Sequence, residues 1–158
     1  LRYNYNPFLL LKPKIMKSTI FGFLFFFICF SLSAQKWLTN IDQAEENAQK
    51  QNRNIILVFQ GSDWCAPCIK LVKEIWSTDE FKSYAKDHFV LLKADFPRKK
   101  SNKLDKTQQE LNNQLAEKYN NDGFFPLVVV LDKNGNVLGK TGYKKTTPLE
   151  YIKLLSSY

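Results

Sequence analysis

Apolar positions change spacing several times along the chain, and each change marks an element. Ile41, Ala44 and Ala48 recur at helical intervals, with Glu45, Glu46 and Lys50 on the opposite side, so a short amphipathic helix is predicted. Asn54 leads into IILVF (55–59), an unbroken β-branched and apolar run of the kind found in buried strands. Ile69, Leu71, Val72, Ile75 and Trp76 return to helical spacing just after Cys65-Ala66-Pro67-Cys68. FVLLKA (89–94) reads as a second strand, and the polar, basic stretch 95–107 as a surface insertion. Leu111, Leu115, Ala116 and Tyr119 mark another helix. PLVVVL (126–131) is a third strand, and Asn134-Gly135 is a strong hairpin signal joining it antiparallel to 136–140. Thr147-Pro148-Leu149-Glu150 combines an N-cap, an early helical proline and the returning Glu of a capping box, and opens a last helix through Leu155. The order α, β, α, β, α, β, β, α predicts one α/β domain: parallel strands joined by helices, then a hairpin at the edge.

The front of the chain follows a different pattern. Residues 19–32 (TIFGFLFFFICFSL) carry no charge; Lys12, Lys14 and Lys17 precede them and Ser33-Ala34 follow. A basic flank, a short apolar run and small residues are the layout of a secretory signal peptide. Residues 1–34 are therefore read as an N-terminal extension and signal peptide, and 35–158 as the folded domain. The expected location is periplasmic or otherwise extracytoplasmic. The alternative is a membrane anchor formed by residues 19–32, although spanning a bilayer takes about 20 apolar residues. Lipid attachment at Cys29 is disfavoured, because Ile28 stands where a small residue is needed. A compact signal would begin at Met16-Lys17, which marks 1–15 as an over-extended start.

Charge narrows the function classes. The 158 residues hold 23 Lys+Arg and 15 Asp+Glu, a formal net charge of +8. Arg2, Lys12, Lys14 and Lys17 lie in the first 34 residues with no acid among them, leaving a net of only +4 for the rest. A nucleic-acid partner loses most of its support. With 44% hydrophobic and 24% charged residues the chain is globular rather than disordered, and a monomer is expected.

Gly61-Ser62-Asp63-Trp64-Cys65-Ala66-Pro67-Cys68 sits between a buried strand and a helix. Once the leader is removed, Cys65 and Cys68 are the only thiols left. A zinc site needs two more ligands, and His88 is the single histidine, twenty residues away. A structural disulfide closes so short a loop that chain entropy stabilises it little. Redox work is the third reading, and physical chemistry favours it. A thiol at a helix N-terminus faces unpaired N–H groups and the positive end of the dipole, both of which stabilise a thiolate. Pro67 presets φ for the first turn. Two intervening residues let one helical turn bring the sulfurs together, with Cys65 as the exposed nucleophile and Cys68 as the partly covered resolving thiol.

WCAPC between strand and helix resembles the thioredoxin superfamily, especially its exported bacterial members, over about 41–157. Supporting it are the DWCxPC entrance at Asp63–Cys68, LAEKY at 115–119, Phe125-Pro126 opening a strand, and LDKNG at 131–135. The resemblance implies a central mixed sheet flanked by helices. It also implies a cis Phe125–Pro126 bond beside the cysteines, where an ordinary strand-start proline would otherwise be assumed. The Phe125 backbone would then pair with extended substrate, the Pro126 ring would exclude metal, and Trp64 would form an apolar platform, although a half-buried aromatic supporting the loop is an equal reading.

Departures from the family pattern matter. Phe59 stands where thioredoxin carries a buried acid, so Cys68 must lose its proton to water, another carboxylate or the backbone environment. Lys93 either matches the lysine that accompanies that acid or is a strand-end surface lysine. Phe125 and Leu127 reshape the substrate groove. Asp63 either tunes Cys65 or caps the following helix, Glu74 is read as solvated, and Trp76 as core. Arg98-Lys99-Lys100 with Lys103 and Lys106 form a basic cluster, by default a solvated loop, otherwise a dock for an acidic partner or anionic membrane. The reading is an exported thiol–disulfide oxidoreductase, leaning to reduction or isomerisation because Pro67 precedes the second cysteine. It needs no metal or organic cofactor, and exchanges electrons with protein disulfide or dithiol substrates and a redox partner protein. The alternatives are a redox-silent peptide-binding module and, more weakly, a metallochaperone.

Overall fold

The computed structural model describes residues 35–158. The leader or anchor assigned to 1–34 lies outside them, and among the described residues no helix is long and apolar enough to cross a membrane. The elements are β1 (Trp37–Leu38), α1 (Ile41–Gln51), β2 (Asn54–Gln60), α2 (Ala66–Leu71) continuing into a π turn (Val72–Trp76), and α3 (Asp79–His88). β3 (Phe89–Asp95), α4 (Lys106–Tyr119), β4 (Leu127–Leu131), β5 (Val137–Thr141) and α5 (Pro148–Ser156) follow.

The sheet runs β1-β3-β2-β4-β5. β2 and β3 are parallel from Asn54↔Phe89 to Gln60↔Asp95, whereas β4 is antiparallel to β2, with Leu127 opposite Phe59. This corrects the expectation of parallel strands at every helical crossover. The cause is the segment 120–126. α4 passes the C-terminal end of β3 at its midpoint, where Asn112 Nδ2 donates to Asp95 O, and ends at the distant hairpin, where Tyr119 Oη donates to Gly135 O. The chain then returns before entering β4, so β4 begins beside the exit of β2. Asn120, buried, holds that return: its Nδ2 donates to Phe124 O and its Oδ1 accepts from Phe124 N, both at 3.0 Å.

The helical stripe after Cys68 also needs correction. Leu71, Ile75 and Trp76 are buried, but Ile69 and Val72 are 49% and 39% exposed. The π turn, closed by Ser77 N donating to Val72 O, adds a residue and rotates the later side chains out of α-helical phase. α3 is a separate helix that the apolar spacing did not reveal; Thr78 caps it by accepting from Phe81 N. Two-residue β1 is too short to carry a pattern, and α4 begins inside the stretch assigned to the insertion, capped by Asp105.

Each face of the sheet carries its own core. Ile56, Val58 and Val128 pack with Leu71, Ile75 and Trp76, Phe81 of α3 and Tyr151 and Leu155 of α5. Leu57, Phe59, Leu92 and Val129 pack with Ala44 and Ala48 of α1 and Leu115 and Tyr119 of α4. The hairpin turns over Asp132–Gly135, with Gly135 at φ 80°, and Asp132 Oδ1 accepts from the N–H groups of Asn134 and Asn136. The capping box at Thr147 and Glu150 is formed.

Candidate active site

β2 delivers the chain to a turn in which Cys65 N donates to Gly61 O at 2.9 Å. Cys65 is extended (φ −85°, ψ 96°) and caps α2, its Sγ accepting from Cys68 N at 3.3 Å, and Pro67 lies in the first turn. Cys65 and Cys68 are joined as a disulfide, with S–S 2.02 Å and Cα–Cα 5.2 Å. Both residues are nearly enclosed, 4% and 2% exposed, so Cys65 is far less open in this oxidised form than the role of exposed nucleophile implied. On reduction the same N–H that now meets Cys65 Sγ would face a thiolate, which a helix N-terminus favours.

The three residues before Cys65 are each tied to the end of β3 and the loop beyond it. Ser62 donates through N and Oγ to the Asp95 carboxylate, at 2.9 and 2.7 Å. Asp63 accepts from the N–H groups of Arg98 and Lys99, both at 2.9 Å, and from Asn102 Nδ2 at 3.0 Å. Trp64 Nε1 donates to Phe96 O at 2.7 Å, and the Arg98 guanidinium carbon lies 3.7 Å from a Trp64 ring centroid. Asp63 thus caps no helix: Cys65 does. It anchors the basic loop instead, and the Arg98 N–H, with the Lys99 N–H and Asn102 amide, holds its carboxyl below the usual carboxylate range.

Trp64 meets Phe125 edge-on, ring centroids 5.5 Å apart, and Phe125 meets Phe96 at the same separation. The Phe125–Pro126 peptide bond is cis, Pro126 is buried and Phe125 is half-buried. The return segment held by Asn120 therefore sets Phe125 against the residue preceding Cys65. Cys68, Ile69, Val72 and Gln60 line a groove of about 420 Å³.

Other expectations find their places. Phe59 is fully buried in the second core. Lys93 is half-buried within β3 opposite Val58, not at the strand end. Glu74 is exposed but bonded, accepting from Tyr143 Oη. Trp76 is core, ringed by Trp37, Phe81 and Tyr151. His88 stacks on Tyr84 at the end of α3. Among the described residues no group of three His, Cys, Asp or Glu is placed to hold a metal ion. Sequence reasoning missed Ser62, Asp95, Phe96 and Asn120. Each acts through a partner set by strand register or loop return; only the Asn120–Phe124 pair is local enough to have been sought.

A Cys-Ala-Pro-Cys disulfide capping a helix at the exit of a central strand, beside a cis proline, defines a protein disulfide oxidoreductase of thioredoxin-like fold. Comparison with known proteins agrees. Residues 41–157 match the family described as a thioredoxin-like domain. The chain is 33% identical over 115 residues to the disulfide bond reductase DsbH of Chlamydia pneumoniae, covering 73% of this chain and 68% of that one. A solved structure of a DsbH oxidoreductase superimposes with a TM-score of 0.72 at 30% identity, covering 79% of this chain and 84% of the other. A disulphide isomerase from Xylella fastidiosa Temecula1 shares the fold, at TM-score 0.55 and 19% identity over 74% of this chain and 86% of its own. The chain belongs to the thioredoxin-like domain family.

Proposed function

We propose that this oxidoreductase is exported and works mainly as a reductase of protein disulfides. Cys65 thiolate attacks one sulfur of the substrate disulfide, forming a mixed disulfide and releasing the other sulfur as a thiolate. Cys68 then gives up its proton and attacks Cys65 Sγ, closing the Cys65–Cys68 bond and freeing the second substrate thiol. Two electrons pass to the substrate, and a partner protein returns them to the pair. Trp64 supplies an apolar shelf, and the Phe125 backbone, beside Pro126 and just ahead of β4, receives extended substrate. Residues 1–34 serve as the leader, and 35–158 as the working domain.

The carrying observation is the disulfide at the N-cap of α2, where the Cys68 N–H already points at Cys65 Sγ. Pro67 and the likeness to a disulfide bond reductase support the reducing direction. Equilibrating the pair against glutathione tests it: a potential toward roughly −270 mV is expected, and one near −120 mV would make the protein an oxidant. A bridge that glutathione cannot open, below about −300 mV, would leave it a structural staple in a peptide-binding module. Cys65→Ser and Cys68→Ser should each abolish turnover in insulin reduction with dithiothreitol.

A further inference from the structure

We infer that the loop carrying Arg98, Lys99, Lys100, Lys103 and Lys106 selects substrates with an acidic segment flanking the disulfide, an assignment that rests on the dithiol reading above. All five cations are exposed, and among the described residues none enters an ion pair. The acid within this stretch, Asp105, is occupied in capping α4, where it accepts from Gln108 N at 2.9 Å.

The loop is anchored rather than loose. Residues 62, 63 and 64, immediately before Cys65, bind Asp95, the Arg98–Asn102 backbone and side chain, and Phe96 respectively. The Asp63 carboxylate is spent on Arg98 N, Lys99 N and Asn102 Nδ2, so it holds the backbone of the loop that carries the cations. Arg98 is further positioned by stacking on Trp64. Asp63 is two residues from Cys65 and bonded to Arg98 N and Lys99 N at 2.9 Å, which puts the near end of the cationic loop, Arg98 and Lys99, on the order of 10–15 Å from the sulfurs. An extended substrate crosses that span in about three to five residues. Carboxylates at those positions would meet the cations while the disulfide meets Cys65. Charge so placed raises the encounter rate of the correctly charged partner and is weakened by salt.

The test uses two disulfide-looped peptides of identical loop sequence, one flanked by Asp and Glu and the other by Lys, with a Ser-flanked peptide as reference and dithiothreitol as electron source. At low salt kcat/KM should favour the acidic peptide over the basic one by about tenfold or more, and the ratio should approach one at high salt. The triple variant Lys99→Gln, Lys100→Gln, Lys103→Gln should lose the preference while turning over the Ser-flanked peptide normally. Arg98 is left intact in that variant because it packs on Trp64. Equal kcat/KM for the two charged peptides at low salt, or a preference that survives the triple variant, would overturn the assignment. So would tight binding to anionic phosphatidylserine vesicles without discrimination between peptides, which would make the loop a lipid-facing patch. Failure to reduce even the Ser-flanked peptide would instead count against the dithiol chemistry.

Discussion

Gly61→Ala is expected to be among the most damaging single-methyl additions near the site. A Cβ at Gly61 would lie 2.7 Å from Trp64 Cζ2 and closer still to Cε2 and Nε1, so the indole or the backbone must move. The indole is held by three contacts. Its hydrogen bond to Phe96 O contributes about 1 kcal/mol, the Arg98 stack about 0.5–1 and the Phe125 edge contact about 0.5–1.5. Displacing the ring forfeits most of these, so a loss of about 2–3 kcal/mol is predicted. Shifting the backbone instead costs a similar overpacking penalty of about 1–3 kcal/mol. Urea unfolding followed by circular dichroism measures the loss, and a red-shifted tryptophan emission would report the displaced indole. The decisive comparison is a double-mutant cycle. In a Trp64→Ala background the three atoms nearest the new methyl are gone, and Gly61→Ala should then cost under about 0.5 kcal/mol. Wild-type stability for Gly61→Ala, or full additivity in the cycle, would refute the steric reasoning and the packed position assigned to Trp64.

Other expectations follow from the same contacts. Asp63 has its folded pKa held below the unfolded value of about 3.9, so its contribution is complete above that value and lost as pH falls through the folded one. Asp63→Asn should therefore flatten the acid limb of the stability–pH curve and leave its alkaline limb unchanged, as read by thermal melts across pH. Glu150, held down to about 2 chiefly by the Thr146 hydroxyl and then by Thr147, should support α5 fully above about pH 4.5 and lose that support on acidification toward pH 2. Thr147→Ala should cost about 1 kcal/mol in urea at neutral pH by removing the side-chain cap. Asn120→Ala unties Phe124 N and O, with an expected loss of about 1–3 kcal/mol and a lower rate of insulin reduction because Phe125 is no longer held against Trp64.

Most elements were legible because their signals are local. The run 55–59 needs burial on both faces and Asn134-Gly135 needs a tight turn. The box at Thr147–Glu150 satisfies its own N–H groups. Where the local signal is weak or misleading, tertiary packing overrides it. Ile69 and Val72 fit a helical stripe but lie outside the core, since the π turn changes the phase between them and Trp76. Glu74 looked merely solvated because its partner, Tyr143, is 69 residues away.

The linear chain was enough to determine that two cysteines flank Ala66-Pro67 at a helix start, because spacing and helix capping act within a single turn. It also determined that a buried strand leads into them, because an apolar run admits little else. What surrounds the sulfurs was decided only by folding. The antiparallel placement of β4 beside β2 brings Phe125 to Trp64, and the register of β2 on β3 brings Asp95 to Ser62. The loop beyond β3 then closes on Asp63 through backbone N–H groups, which every residue but proline carries and which leave no mark in the sequence.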